Sequence, residues 1–421
     1  MTLFPLYIDP GTGSMLFSLF IGIAAAVSFG LRALFIKLRF ILSAGKADKT
    51  GDKSIPYLIF SDHKRYWNVF KPICDEFERR QIPLVYYTAS PDDLALSAGY
   101  QFVRAEFIGE GNKPYAKLNM LRADILLATT PGLDVYQWKR SKGVKYYVHI
   151  RHDVEDPVGY RMFGCDFYDA ILLSGAYQEY YIRVLEKKRS ENKKETAVVG
   201  CPYMDAMRDR LSSVPPVKND TPVILMAPSW GESAILKKYG ESILDALIAT
   251  RYKIIVRPHP QSFMSEKHMI EPLIEKYKES DSFKWNRDND NFNVLHEADV
   301  LITDFSGIIF DYALVFDKPL IYADTSYDSS PYDSAWLDEE LWRFKVLPNL
   351  GVKLEQKDFS NLKDIIDNLM QNGSFQKNRD KIRNEAWQYR GEGAVRVVDY
   401  LIEKHDSLTS SKNDIRQDGK D

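Results

Sequence analysis

The sequence predicts an α/β protein with two successive doubly wound halves behind an apolar amino-terminal segment. Short apolar runs alternate with helix-length segments over residues 55–211 and again over residues 223–406, which is typical of parallel α/β layers. The stretch between them, 212–222, contains three prolines and is predicted to be a hinge. Residues 10–31 carry no charged side chain. Two such halves joined by a hinge predict an active-site cleft between them.

The size and composition of the chain exclude several classes of protein. At 421 residues it is long enough for two ordinary domains with extensions. Its 45% hydrophobic and 27% charged residues are typical of a globular protein, and a formal net charge of −3 gives no reason to expect nucleic-acid binding. The three cysteines, Cys74, Cys165 and Cys201, are scattered without metal-ligand spacing. They indicate a reducing compartment and no metal site.

The charge-free segment 10–31 is long enough to cross a bilayer once as a helix. No basic residue precedes it, which argues against a cleaved signal peptide. Six basic residues follow over 32–53, so the positive-inside rule places the rest of the chain in the cytoplasm. We therefore predict a membrane anchor with a basic amphipathic stretch over 1–42, a polar linker over 43–54, and cytoplasmic catalytic domains at the cell membrane. A buried helix of a soluble domain is the alternative.

The first half, 55–211, contains six strand candidates and two clear helices. The strands are predicted at 57–61, 83–88, 125–128, 146–150, 170–174 and 196–199, and the helices at 67–80 and 177–188. The second half, 223–406, has strands predicted at 223–227, 253–257, 300–302 and 320–322, and helices at 242–250, 269–279, 359–368 and 380–403. The final residues, 407–421, are polar and predicted to be a tail.

Three polar loops of the second half directly follow predicted strands. Because the carboxyl ends of parallel strands meet at one edge, these loops should converge. They offer a cation, an imidazole, hydroxyls and free N–H groups, a set suited to a diphosphate. The loops are Ser229-Trp230-Gly231, Arg257-Pro258-His259-Pro260 and Thr303-Asp304-Phe305-Ser306-Gly307.

Two of these residues allow more than one interpretation. Ser306 and Gly307 open a predicted helix, whose free N–H groups favour a phosphate, although Ser306 could serve only as a helix cap. Arg257 could bind phosphate or form a structural ion pair. His259 lies between two prolines that hold it rigidly, which favours a site residue over a core residue.

A second group of candidate residues lies at the end of the strand predicted over 146–150. His149 and Arg151 share one face of that strand, and His149 is interpreted as a packed strand residue. His152 lies at or beyond the strand end. It could accept a proton from an attacking hydroxyl, with Asp153 and Glu155 nearby to orient it.

The motifs TDFSGIIFDYALVFDKPLIY and VRPHP and the APSW loop resemble the catalytic half of the CDP-glycerol glycerophosphotransferases, the teichoic-acid primases and polymerases of bacterial cell envelopes. The resemblance covers roughly residues 146–342. It implies a GT-B-like fold of two facing Rossmann-type domains, with an acceptor side over 55–211 and a nucleotide-donor side over 223–406.

The resemblance also implies roles for individual residues. His152 would be the base that activates the acceptor hydroxyl, and His259 would contact the donor phosphates and help neutralise them. Thr303, Ser306 and Gly307 would bind donor phosphate and Asp304 would order their loop. Ser229, Trp230 and Arg257 would complete the donor site. The implied reaction is attack on the β-phosphorus of a CDP-alditol with CMP leaving, without a predicted cofactor, and the acceptor is a lipid-linked molecule or a glycan.

The sequence departs from the family pattern at several positions. Phe305 stands where the family has Tyr, Gly307 where it has a second Ser, and Gly231 where it commonly has an arginine that Lys237 or Lys238 could replace. The histidine motif of the family, Trp-His-Gly, is matched only loosely at 150–153. A GT-B glycosyltransferase that uses a nucleotide sugar and a non-catalytic nucleotide-binding scaffold are therefore the competing hypotheses.

Overall fold

A computed structural model of the protein describes residues 54–417 except 289, 324–326 and 372, together with the isolated residue 27. The described residues from Ile55 to Gln417 form one compact unit. The predicted membrane anchor, 1–42, and the linker up to residue 53 lie outside the described part, apart from residue 27. In the part of the chain that is described, no helix is both long and apolar enough to cross a membrane.

The first sheet has seven parallel strands in the order β3-β2-β1-β4-β5-β6-β7. Its central strands, β1, β4 and β5, are buried over most of their length because helices cover both faces of the sheet. The strands are β1 (Ile55–Ser61), β2 (Leu84–Thr88), β3 (Val103–Phe107), β4 (Arg122–Ala128), β5 (Gly143–Ile150), β6 (Ala170–Leu173) and β7 (Glu195–Val198).

The second sheet has six parallel strands in the order β10-β9-β8-β11-β12-β13. The four inner strands are buried almost throughout. They are β8 (Val223–Met226), β9 (Lys253–Val256), β11 (Val300–Thr303) and β12 (Leu320–Ala323), and the edges are β10 (Phe283–Trp285) and β13 (Gly351–Leu354). Two parallel α/β sheets were predicted, and this part of the predicted fold class is confirmed.

Helices cover the faces of both sheets. They are α1 (Trp67–Arg79), α2 (Lys113–Leu118), α3 (Tyr177–Arg189), α4 (Pro202–Ser212), α5 (Ile235–Ala249), α6 (Ser262–Ser265), α7 (Lys267–Lys276), α8 (Phe292–Glu297), α9 (Ile308–Phe310), α10 (Trp342–Leu350), α11 (Leu362–Gln371), α12 (Gln376–Ala386) and α13 (Gly393–Gln417). A π-helical turn, Asp311–Val315, extends α9. The short 3-10 segments are Lys64–Tyr66, Leu94–Ser97, Pro157–Gly159, Asp333–Trp336, Gln356–Asn361 and Gly373–Phe375.

The carboxyl-terminal helices differ from the single helix predicted over 380–403. The predicted helix is interrupted by a turn between α12 and α13. At this turn the Asp205 carboxylate accepts the indole N–H of Trp387 at 2.9 Å and the N–H groups of Gly391 and Gly393 at 2.7 and 3.0 Å. Helix α13 then packs on the first sheet, contributing Val397, Val398 and Leu401 to its core. The end of the region predicted as the second domain therefore completes the first, and the helix continues into the predicted tail as far as Gln417.

The segment that follows β12 joins the two halves. The Asp333 carboxylate accepts the N–H groups of Phe163 and Gly164 at 2.7 and 3.1 Å, and it pairs with the buried Arg189 guanidinium at 2.5 Å. Arg189 also pairs with Asp166 at 2.8 Å. These contacts attach the segment after β12 to the first half of the protein.

Candidate active site

The loops after β8 and β11 are joined by one buried carboxylate. Asp304 is 1% exposed, and it accepts the N–H of Ser229 at 2.9 Å and the N–H of Ile235 at 2.9 Å. Thr303 is fully buried and its hydroxyl donates to the Ala227 carbonyl at 2.6 Å. The structure therefore gives both residues a role in holding the loops. The phosphate-binding role that the resemblance implied for Thr303 stays a prediction.

His259 lies at the end of β9 with one ring nitrogen occupied. Its Nδ1 accepts the N–H of Gln261 at 3.1 Å, so the proton of the neutral ring is on Nε2. Burial, together with the charges of Arg65 and Arg257, lowers the pKa of His259 to about 4 against the opposing charge of Glu266. The ring is thus neutral at pH 7 and can donate a hydrogen bond. Its role in contacting the donor phosphates and helping to neutralise them stays a prediction.

Two neighbours of His259 were also predicted as donor ligands. Trp230 is 38% exposed, and its ring centroid lies 6.3 Å from that of His259. Arg257 donates to the side-chain oxygen of Asn286, beyond the end of β10. This hydrogen bond to a neutral side chain is neither the ion pair nor the phosphate contact that were the two interpretations of Arg257, and phosphate binding stays a prediction. The charge of Arg257 also reaches His259.

Gly231 has a backbone reason to be glycine. Its φ is +96°, a backbone conformation that residues with a side chain rarely adopt. Its N–H donates to Glu266 Oε1 at 2.9 Å. An arginine could not occupy this turn without strain, so any missing cation must come from elsewhere. Lys237, one candidate replacement, pairs with Glu232 at 3.4 Å.

Ser306 and Gly307 begin the turn into α9 and are half-buried. Gly307 has ordinary helical angles, φ −58° and ψ −18°. A Cβ atom added at Gly307 would lie 2.6 Å from Glu155 Oε1. The carboxyl group of Glu155, which comes from the first half, therefore lies against the predicted phosphate loop. Burial raises the pKa of Glu155 to about 7, against the opposing charge of Arg343.

The loop after β5 holds His152 in place through a buried cation. The Arg151 guanidinium donates to Asp153 Oδ1 at 2.5 Å and to the Asp156 carbonyl at 3.3 Å. His152 Nδ1 lies 3.0 Å from Thr129 Oγ1, and its Nε2 lies 3.5 Å from Asp153 Oδ2. Burial lowers the pKa of His152, and the charges of Arg151 and Arg65 lower it further against the attraction of Asp153. The ring is neutral at pH 7 and can accept a proton.

His149, the other histidine of β5, is fully buried and its Nε2 lies 3.2 Å from the Tyr160 hydroxyl. This is the packed strand residue that the sequence predicted.

Arg65 is a site residue that the sequence analysis missed. It is exposed in the 3-10 turn Lys64–Tyr66 that follows β1, and its guanidinium lies 5.0 Å from the Tyr66 ring, which packs edge-on against His152 at 5.2 Å. Its charge lowers the pKa of both His152 and His259. The available signal was the run of basic residues, 63–65, directly after the first strand. Within that run Lys64 is paired with Asp92.

Two cavities lie at the carboxyl edges of the sheets. The one in the second half has a volume of about 540 Å³ and is bounded by Phe305, Tyr327 and Phe344. The one in the first half has a volume of about 580 Å³ and is bounded by Asp62, His63 and Tyr115. No group of three or more His, Cys, Asp or Glu side chains suited to a metal ion occurs within the described part.

The family profile described as CDP-glycerol:poly(glycerophosphate) glycerophosphotransferase matches residues 164–403, more than half of the chain. The chain belongs to this family. The suspected resemblance is thus confirmed, and so is the prediction of a transferase enzyme of the glycerophosphotransferase type. The match includes the three donor-side loops but begins after Arg65, His152 and Glu155.

Solved structures similar to this glycerophosphotransferase support the predicted GT-B-like architecture. The UDP-GlcNAc 2-epimerase of Methanocaldococcus jannaschii in complex with UDP-GlcNAc and UDP is 12% identical, has a TM-score of 0.52, and covers 83% of this chain and 100% of its own. The S. aureus MnaA-UDP co-structure is 12% identical with a TM-score of 0.52, and it covers 85% of this chain and 98% of its own. At such identities the likeness shows the fold alone. No curated protein matches the chain significantly.

Proposed function

We propose that this protein transfers a glycerol-phosphate or related alditol-phosphate unit from a CDP-linked donor to a hydroxyl of a lipid-linked or glycan acceptor, releasing CMP. One observation carries the proposal beyond family membership. Two neutral imidazoles lie on loops from opposite sheets, His152 after β5 and His259 after β9, and the charge of Arg65 reaches both. A base, a hydrogen-bond donor and a cation are the groups that an in-line phosphoryl transfer requires.

The proposed reaction begins at His152. With its Nδ1–H donating to Thr129 Oγ1, Nε2 has a free lone pair and takes the proton of the acceptor hydroxyl. Asp153 Oδ2, 3.5 Å from Nε2, then stabilises the imidazolium. The acceptor oxygen attacks the β-phosphorus as the bond from that phosphorus to the CMP oxygen breaks, so CMP leaves with the bonding electron pair.

The donor diphosphate is proposed to lie at the loops after β9 and β11. His259 Nε2–H and the Ser306 hydroxyl donate to phosphate oxygens. Arg65 offsets the negative charge of the phosphates in place of the arginine that the family commonly has at position 231. Ser229 and Trp230 border this region, while Thr303 and Asp304 hold it in shape. Two of the structural neighbours are complexes with UDP, which supports a nucleotide-linked donor.

The proposal places the enzyme at the cytoplasmic face of the cell membrane, in the synthesis of a cell-envelope polymer. The segment 10–31 would hold the catalytic domains beside a lipid-linked acceptor and raise its effective concentration. Deleting residues 1–42 should leave CMP release with a soluble acceptor unchanged but reduce it with an acceptor in vesicles.

The test is nucleotide release from purified full-length protein. CDP-glycerol and a panel of UDP-sugars are incubated with lipid and glycan acceptors, and CMP and UDP are quantified. We expect CMP release that is lost in His152→Ala and retained in His268→Ala, an exposed histidine on α7. UDP release without CMP would indicate the glycosyltransferase, and CDP-glycerol binding without turnover would indicate the scaffold; either result overturns the proposal.

A further inference from the structure

Gly307 is glycine for a reason that does not lie in its own backbone. Its φ of −58° and ψ of −18° are open to any residue. A side chain at this position would instead clash with Glu155 unless that carboxyl group moved, because a Cβ at position 307 would lie 2.6 Å from Oε1 and 3.2 Å from the carboxyl carbon. A carboxyl group from the first half thus occupies the space that a side chain at position 307 would need.

Glu155 is held in that position from the second half. Its Oε2 pairs with the Arg343 guanidinium of α10, and the side chains of Glu155 and Arg343 are only 12% and 10% exposed. The adjacent Asp156 is fully buried. Its carboxylate accepts the N–H groups of Trp342 and Arg343 at 2.9 and 3.1 Å, so it caps the start of α10.

The loop carrying Glu155 is rigid back to His152. The Glu155 N–H donates to Asp153 Oδ1 at 3.0 Å, and the Glu155 carbonyl accepts Gln178 Nε2 at 2.7 Å. Arg151 binds both Asp153 and the Asp156 carbonyl. A shift of Glu155 would therefore move the His152 backbone, three residues away.

We propose that Glu155 is a positioning residue that sets the His152 loop against the Ser306 loop, and that Gly307 is its matched partner. Contact of Glu155 with Gly307 and its ion pair with Arg343 fix the separation of proton acceptor and donor phosphate across the cleft. The catalytic consequence rests on the proposed function, whereas the contact itself does not. Since a one-ångström displacement is costly in phosphoryl transfer, a side chain at position 307 should impair the chemical step more than nucleotide binding.

The test is a double-mutant cycle of Gly307→Ser and Glu155→Ala, with Gly373→Ser as the matched control. Among the described residues, apart from its two chain neighbours, no atom lies within 4 Å of a Cβ at Gly373. We expect Gly307→Ser to lower Tm by about 3 °C through overpacking. The same substitution in Glu155→Ala protein should lower Tm by less than half as much, because the space is then free. Gly373→Ser should leave Tm unchanged.

Activity measurements separate positioning from phosphate binding. We expect Gly307→Ser to reduce kcat for CMP release about tenfold or more, with the Kd for CMP within twofold of wild type. Additive Tm losses, an unchanged kcat, or a loss of CMP affinity that matches the loss of kcat would each overturn the proposal. If the wild-type protein releases no CMP, the proposed function fails, and the Tm cycle still decides whether Glu155 and Gly307 are a matched pair.

Discussion

Replacing Asp304 with alanine should loosen the loops of the donor side without removing a reacting group. The carboxylate is buried and accepts two backbone N–H groups, from Ser229 and Ile235. Alanine would leave both donors buried without a partner, at about 1–3 kcal/mol each, so the expected loss in stability of this region is about 4 kcal/mol. Asp304→Asn keeps one acceptor oxygen and should lose about half as much.

Amide hydrogen exchange measures this loss at the two donors. A local loss of about 4 kcal/mol corresponds to roughly 10³-fold faster exchange of the Ser229 and Ile235 amides. The control is Asp338→Ala, since Asp338 is 90% exposed in a surface pair with Lys188, and its removal should change exchange by less than a factor of about three. Exchange at Ser229 and Ile235 within tenfold of wild type in Asp304→Ala would refute the assignment of Asp304 as the link between the loops.

Three further predictions concern charge and the carboxyl-terminal helix. Arg65→Ala should raise the pKa values of His152 and His259 in an NMR titration and weaken CMP binding about tenfold. Arg65→Lys should preserve both the pKa values and the affinity for CMP. Unchanged pKa values in Arg65→Ala would show that Arg65 does not act on these histidines. Because the pKa of His259 is about 4 in the folded protein and 6.5 in the unfolded chain, the unfolded state binds the extra proton as pH falls from 6.5 to 4. Stability should therefore fall over that range by up to about 3 kcal/mol, and His259→Asn should flatten this dependence in denaturant titrations at several pH values. Asp205→Ala removes the acceptor for three donors at the α12–α13 turn and should make α13 sensitive to limited proteolysis; unchanged cleavage would show that packing alone holds the helix.

The central strands could be predicted from sequence because they are buried on both faces. Such strands are continuous apolar runs, as in β8 and β11, and tertiary contacts do not alter that pattern. The edge strands β3, β10 and β13 were missed for the converse reason. They are short or half-exposed, and their polar residues, for example in VRAEF, interrupt the apolar signal.

The candidate site was predictable only as far as topology determines it. Loops that follow parallel strands must meet at one edge, so the positions of His259 and Ser306 follow from strand order. The hydrogen-bond partner and the charge of each side chain do not follow from strand order. The hydroxyl of Thr303 is bonded to the Ala227 carbonyl, and the ring of His259 is neutral rather than cationic; both depend on distances that no spacing in the chain encodes.

The sequence by itself determined the two parallel sheets, the family, and the strand-end loops that bring histidine and serine to one edge. These features depend on local patterns: apolar runs, prolines and short motifs. Only the tertiary structure decided what surrounds those loops, namely the charge of Arg65, which lowers the pKa of both histidines, and Glu155 against Gly307. The physical reason is that both interactions join segments far apart in the chain, and burial and charge there depend on three-dimensional packing.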